Sequence, residues 1–169
     1  MFVFETARFR VRPWRLDAAD SAACFAIFEN EEVSQWLRRP PYAELSEAEA
    51  ANRLHRQRYA EDPGLGWWAA EGLETREVVA QVGVRPMPDD STELEVGYHV
   101  RRDWWGRGVA TELCRGALEY ARRHFPQRQL VAVTLPENAA SRRVMEKAGF
   151  VYTGECVFKG FDSVRYEWR

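Results

Sequence analysis

Between Glu93 and Leu135 the hydrophobic period changes twice, and few backbone arrangements accommodate both changes. "STELEVGYHV" alternates apolar and polar residues as a half-buried strand does. After "RRDWWGRG", the apolar positions Ala110, Leu113, Cys114, Ala117, Leu118 and Ala121 recur at helical spacing and form one stripe. "QLVAVTL" is then a nearly continuous β-branched apolar run, as expected of a strand buried on both faces. Strand, helix and buried strand in that order predict a right-handed βαβ crossover joining two parallel strands.

The remaining segments build around that unit. "ARFRVRPW" alternates Phe9, Val11 and Pro13 with arginines, the period of a strand with one buried face. Asp17 then opens a helix in which Ala18, Ala22, Phe25 and Phe28 share a face. A second helix covers "SEAEAANRLHRQRYAE", with Ser46 as N-cap and Glu49 completing a capping box, and Pro63-Gly64 ends it. Three strand-like runs follow, "GWWAAEGL", "EVVAQVGVRP" and "STELEVGYHV"; the connections Glu74-Thr75-Arg76 and Pro86-Met87-Pro88-Asp89-Asp90 are short enough for an antiparallel meander. A helix from about Asn138 to Ala148 with Gly149 at its C′ position, and a closing hairpin of "FVYTGECVF" and "SVRYEWR", complete the chain. The expectation is one α/β domain over residues 1–169, with a mixed, mainly antiparallel sheet and one parallel crossover.

Charge restricts the partners. The chain of 169 residues has a formal net charge of -2, which argues against nucleic-acid and anionic-membrane binding. The total hides a split: residues 1–100 carry eleven Arg and eighteen Asp or Glu, whereas 101–147 carry ten Arg or Lys and five acids. A basic middle next to an acidic first half suits an anionic ligand in one place and a cationic one in another, or simply solvated faces. Cys24, Cys114 and Cys156 have neither disulfide nor zinc spacing, and His55, His99 and His124 form no ligand cluster, so no metal is expected. The absence of a signal-peptide pattern at the start and of any long apolar run sets the expectation of a cytoplasmic protein.

The chemistry concentrates in Trp105-Gly106-Arg107-Gly108-Val109-Ala110-Thr111, a glycine turn that opens a helix. Two glycines let the backbone approach a ligand, and successive N–H groups at a helix N-terminus make a nest for phosphate oxygens. The spacing is neither that of a P-loop nor that of the dinucleotide GxGxxG turn. Arg101, Arg102 and Arg107 flank the turn and suit several phosphates.

"ELEVGYHVRRDWWGRGVATEL", followed by "PENAASRRVMEKAGF", resembles the GNAT acetyltransferase superfamily, and within it the branch of RimJ/RimL-type ribosomal-protein alanine acetyltransferases. The resemblance extends over nearly the whole chain, including "TARFRVRPWRLDAAD". It implies an enzyme that moves acetyl from acetyl-CoA to a primary amine, with no metal. Gly106, Arg107, Gly108, Val109, Ala110 and Thr111 would then cradle the pyrophosphate, with Trp105 standing where the family usually has Gln or Arg. His99 and Val100 would border the pantetheine arm, with the Val100 N–H on the thioester oxygen.

Asn138 and Ser141, at i and i+3 on one helix face, would face the cofactor. The family's tyrosine acid corresponds to Met145, which leaves Ser141 as the candidate acid or as a first-turn residue satisfying backbone. Arg142, Arg143 and Lys147 would reach the 3′-phosphate or form a solvated face. Glu95 occupies the family's general-base position, and Glu93, on the same strand face, would be a surface residue or a substrate contact. Trp36 would belong to the acceptor wall, and the other tryptophans read as packing. The acceptor would be a peptide N-terminus or a small amine such as an amino sugar, polyamine or amino acid. A non-catalytic acyl-CoA-binding module is the reading from another class, and monomer or homodimer stays open.

Overall fold

The computed structural model describes residues 2–88 and 92–169. Asp89 and Asp90 of the second expected connection lie outside the described residues. Among the described residues eight strands form one sheet: β1 Phe4–Glu5, β2 Phe9–Arg12, β3 Gly66–Gly72, β4 Val78–Pro86, β5 Glu93–Val100, β6 Gln129–Thr134, β7 Phe150–Phe158 and β8 Phe161–Trp168. Their spatial order is β1-β2-β3-β4-β5-β6-β8-β7, antiparallel throughout except where β5 runs parallel to β6. A helical connection between two parallel neighbours is therefore present, and its helix is α4, Val109–His124. The other helices are α1 Ala18–Phe28, α2 Glu31–Ser34, α3 Leu45–Glu61 and α5 Ala139–Ala148.

Two apolar clusters lie on opposite sheet faces. One joins α4 and Met145 of α5 to alternate residues of the sheet, including Trp68, Ala70, Val82, Leu94, Val96 and Val100. The other joins Cys24, Ile27 and Phe28 of α1 to Trp14, Val33, Ala48, Ala69 and Val78. Because strand side chains alternate, Leu94, Val96 and Val100 facing α4 leave Glu93, Glu95, Gly97 and His99 on the side of α1–α3. That alternation assigns β5 its two jobs, core on one face and site on the other.

A buried ion network pins α1 to the sheet. Arg12 donates two hydrogen bonds to Asp20 of α1, at 2.7 and 2.8 Å, and a third to Glu71 of β3 at 2.8 Å. Three buried charges with paired, directional bonds hold the helix in one register over the sheet. They also correct the expected face of α1. Asp20, Ser21, Cys24, Ile27 and Phe28 point inward, whereas Ala18 and Ala22 are exposed. Counting apolar residues missed an inward face that carries a salt-bridged aspartate.

The N-terminus of α3 also differs from expectation. Its capping box is Glu44 with Glu47, not Ser46 with Glu49, so the helix begins earlier. A capping box needs only an acceptor at N-cap and a partner at N3, and Glu44 supplies the first from a position that reads as a loop residue. α5 ends as expected on Gly149, in the left-handed region at φ 99.

Candidate active site

The parallel pairing of β5 and β6 is brief. Glu93, Leu94 and Glu95 face Gln129, Leu130 and Val131, and beyond these the strands part. β5 continues to Val100 along β4 alone. Ladder parity then fixes where its amides point. Val79 and Arg101 form a hydrogen-bonded pair, with Arg101 N–H donating to the Val79 carbonyl at 2.9 Å, so Val100, opposite Ala80, turns its N–H and C=O away from β4. Tyr98 does the same. Both face the opening between the parted strands, and the Val100 carbonyl accepts the Trp105 indole N–H at 2.7 Å.

The opening leads into a cavity of about 980 Å³ that runs from the α4 N-terminus to the helices on the opposite sheet face. At its α4 end, Gly106 and Gly108 adopt φ 77 and 73, conformations costly for any residue with a Cβ. Gly108 is the N-cap of α4, whose first N–H groups have no partner within the helix. A Cβ built on Gly106 would meet nothing within 4 Å, so packing does not require this glycine. Left-handed turns, open space and unpaired donors at a sixteen-residue helix suit an anionic ligand such as a pyrophosphate. Glu112 fixes this first turn by accepting from Thr6 Oγ1 at 2.7 Å, Arg8 N–H at 2.9 Å and Arg8 Nε at 2.6 Å.

The arginines flanking the turn are arranged differently from the sequence expectation. Arg101 is held by Asp103 and Glu77, and Arg102 by Glu32. Arg107 lies on the Trp104 ring, 5.0 Å from its centroid, and does not line the cavity. Arg8 stands beside the turn instead, with Nη2 3.7 Å from a Cβ built on Gly108. Nothing in its strand pattern marks it, because the turn is distant in sequence.

The opposite wall comes from α5. Asn138 caps the helix with its side-chain oxygen on the Ser141 N–H at 3.1 Å, which leaves the amide nitrogen to a ligand. Ser141 Oγ lies 3.2 Å from the Tyr98 hydroxyl, and that hydroxyl lies 3.1 Å from the Ser141 carbonyl. Burial raises the Tyr98 pKa well above the usual tyrosine value, so its proton stays in place. Tyr98 was absent from the sequence candidates, although its alternation with Val96 and Val100 carries the signal. Arg143 and Lys147 line the cavity; Arg142 instead bonds the Tyr166 hydroxyl at 3.0 Å and the Pro136 carbonyl at 3.2 Å.

On the far side, Glu95 is buried, lines the cavity and pairs with Arg85, its register partner on β4. Glu93 does not line the cavity. Arg165 binds it through both oxygens, at 2.6 and 2.9 Å. Trp36 lies in a 3-10 turn after α2 and lines the cavity. His99 packs against Phe28 and Trp67, with ring centroids 5.4 and 4.9 Å away. The Trp67 ring crosses Gly83 and Gly97 so closely that a Cβ at either would come within 2.6 Å of it. Burial, reinforced by Arg85, Arg39, His55 and Lys159, pushes the His99 pKa down to about 3.

The charge split does not translate into an acidic acceptor wall. Acids of the first hundred residues are consumed by ion pairs, among them Asp20 and Glu71 with Arg12, Glu77 with Arg101 and Glu93 with Arg165. A count along the sequence cannot see which acids are neutralised by folding. Among the described residues no cluster of His, Cys, Asp or Glu is placed to hold a metal ion, and no helix is long and apolar enough to cross a membrane.

Comparison with known proteins gives the same architecture. A family model described as an acetyltransferase (GNAT) domain matches residues 8–151. The uncharacterized N-acetyltransferase YoaA of Bacillus subtilis is 26% identical over 152 residues, covering 90% of this chain and 84% of its own. A GNAT-family acetyltransferase from Bacillus anthracis superposes with a TM-score of 0.81 at 18% identity, over 99% of this chain and 97% of its own. RimL, a ribosomal L7/L12 alpha-N-protein acetyltransferase in complex with coenzyme A, gives a TM-score of 0.81 at 14% identity, over 99% and 97%.

Proposed function

The chain belongs to the GNAT acetyltransferase domain family, and from that premise we propose how its residues divide the transfer of acetyl from acetyl-CoA to a primary amine. It is an acetyl-CoA-dependent N-acetyltransferase. Acetyl-CoA supplies a thioester carbonyl and a thiolate leaving group. The turn at Gly106 and Gly108 and the N–H groups of Val109, Ala110 and Thr111 hold the pyrophosphate, with Asn138 and Arg143 on the opposite wall. The N–H groups of Tyr98 and Val100 face the opening; that of Tyr98, the nearer to Glu95, polarises the carbonyl where negative charge develops, and that of Val100 lies farther along the pantetheine arm.

Glu95, oriented by Arg85, takes the proton from the incoming ammonium through a water relay along the cavity. Ser141, backed by the Tyr98 hydroxyl, returns a proton to the departing sulfur. Attack is direct. Burial pushes the Cys24 and Cys114 thiols up to about 12, so neither supplies a thiolate for an acyl-enzyme. The observation that carries this reading is that Glu95, Tyr98 and Ser141 line one cavity, which opens where β5 and β6 part.

We take the acceptor to be a peptide N-terminus, in the manner of a RimJ/RimL-like enzyme; whole-length likeness to the RimL fold supports it. The small-amine reading stays in the same test. Purified protein with acetyl-CoA is offered N-terminal peptides and free amines, with release of the CoA thiol recorded. Release on a peptide supports the reading, and release on free amines alone moves the acceptor class. CoA binding without turnover on any amine would make the chain a binding module.

A further inference from the structure

The acceptor end of the cavity is cationic, and of its four cations Arg85 alone is paired with a carboxylate. Arg38 and Arg39 come from the segment after α2, Arg85 from β4 and Lys159 from the turn between β7 and β8, and all four line the same cavity. Each head lies on an aromatic ring: Arg38 is 5.0 Å from the Phe161 centroid, Arg39 4.2 Å from Tyr42, Arg85 5.0 Å from Trp67 and Lys159 5.1 Å from Phe158. A guanidinium stacked on a ring keeps its in-plane N–H donors directed outward.

The available carboxylates are committed elsewhere. Glu95 pairs with Arg85, and Glu32, the other acid lining the cavity, pairs with Arg102 at 2.9 Å. Glu47 faces Arg39 but accepts the Ala43 and Glu44 N–H groups at the start of α3. Among the described residues Arg38, Arg39 and Lys159 make no ion pair. Arg85 Nε is buried and has no hydrogen-bond partner, as is His99 Nδ1 beside it. Partial burial lowers the Lys159 pKa, and the neighbouring Arg85 and Arg58 lower it further against the pull of Glu95.

Arg85 is not at the pyrophosphate turn. Arg85 is opposite Glu95, five residues and about 17 Å along β5 from the Val100 end that leads to Gly106.

Resting on the acetyl-transfer reading, we propose that the acceptor is an anionic amine, carrying a carboxylate or phosphate that Arg38, Arg39, Arg85 and Lys159 bind while its amine meets Glu95. Arg39 gives Nη1 to the Pro40 carbonyl at 3.3 Å and Arg85 gives Nη2 to Glu95; an anion relieves the repulsion between Arg85 and Lys159 and meets the remaining N–H donors, whereas a polyamine or amino sugar adds positive charge.

The test uses matched acceptors. C-terminally amidated peptides of one length with Asp, Asn or Lys after the N-terminal residue, and free 4-aminobutyrate against 4-aminobutyramide, differ in charge and little in shape. kcat/KM should favour the acidic partner at least tenfold over the neutral and more over the basic, mainly through KM. The peptide and amino-acid arms separate the two sources of the carboxylate. Lys159→Gln and Arg39→Gln should each reduce the acidic-over-neutral ratio about tenfold, with acetyl-CoA affinity retained. Equal rates on acidic and neutral acceptors, or preference for basic ones, overturns the proposal while leaving acetyl transfer intact. If no amine is turned over, calorimetry on the CoA complex still decides: glutarate should bind and putrescine should not, and the reverse overturns the proposal.

Discussion

His99 and His55 should make stability fall steeply in mild acid. Both are held neutral in the fold, His99 down to about 3 and His55 to about 4, in each case first by burial and then by nearby arginines. Gln81 agrees: its amide nitrogen lies 3.0 Å from His55 Nε2 and can only donate, so that ring nitrogen is unprotonated. In the unfolded chain both titrate near 6.5. The unfolded state therefore binds more protons below that pH, and stability is fully present above 6.5 and lost as pH falls toward 4 and 3.

At pH 5 the unfolded chain gains roughly 1.5 pKa units' worth of proton binding at each histidine, about 2 kcal/mol apiece and about 4 kcal/mol together. For a chain of this size that is a drop of about 10 °C in melting temperature. Urea unfolding of the ligand-free protein at pH 7.0, 6.0 and 5.0 measures it. His99→Phe keeps a ring between Phe28 and Trp67 and should halve the loss. An undiminished loss in that variant, or an NMR titration of His99 near 6.5, would refute the reasoning.

Two further perturbations probe other links. Arg12→Ala leaves Asp20 and Glu71 buried without their cation and should cost about 3–5 kcal/mol in urea unfolding; a loss below about 1 kcal/mol would show that this network does not anchor α1. Gly106→Ala should cost only about 1 kcal/mol of stability, through its backbone conformation. It should weaken CoA binding at least tenfold by calorimetry, since the added methyl enters the open side of the turn; unchanged affinity would move the phosphates elsewhere.

Elements with strong local period were legible from sequence. β5, α4 and β6 read correctly because alternation, a helical stripe and an apolar run each report burial directly, and Gly149 marks the end of α5 by its conformation. The inward face of α1 did not read correctly. Asp20 is buried by pairing with Arg12, and a hydrophobicity pattern treats every charge as exposed. β1 was missed because two residues are too short to show a period.

The site divides in the same way. The glycine turn, Glu95 and Ser141 lie in contiguous motifs. Arg8, Tyr98 and the cationic acceptor end depend on segments distant in sequence meeting around one cavity. The acidic count of the first hundred residues misled because ion pairs form between segments, and only the folded chain shows which charges remain.

The central claim is that Glu95 accepts the proton of the attacking amine. Glu95→Gln retains the side chain's size and its contact with Arg85 while removing the base. Steady-state kinetics at neutral pH, beside calorimetry with CoA, should show kcat lowered by about 10²- to 10⁴-fold with CoA affinity unchanged. Turnover within a few-fold of the wild-type rate would contradict the assignment.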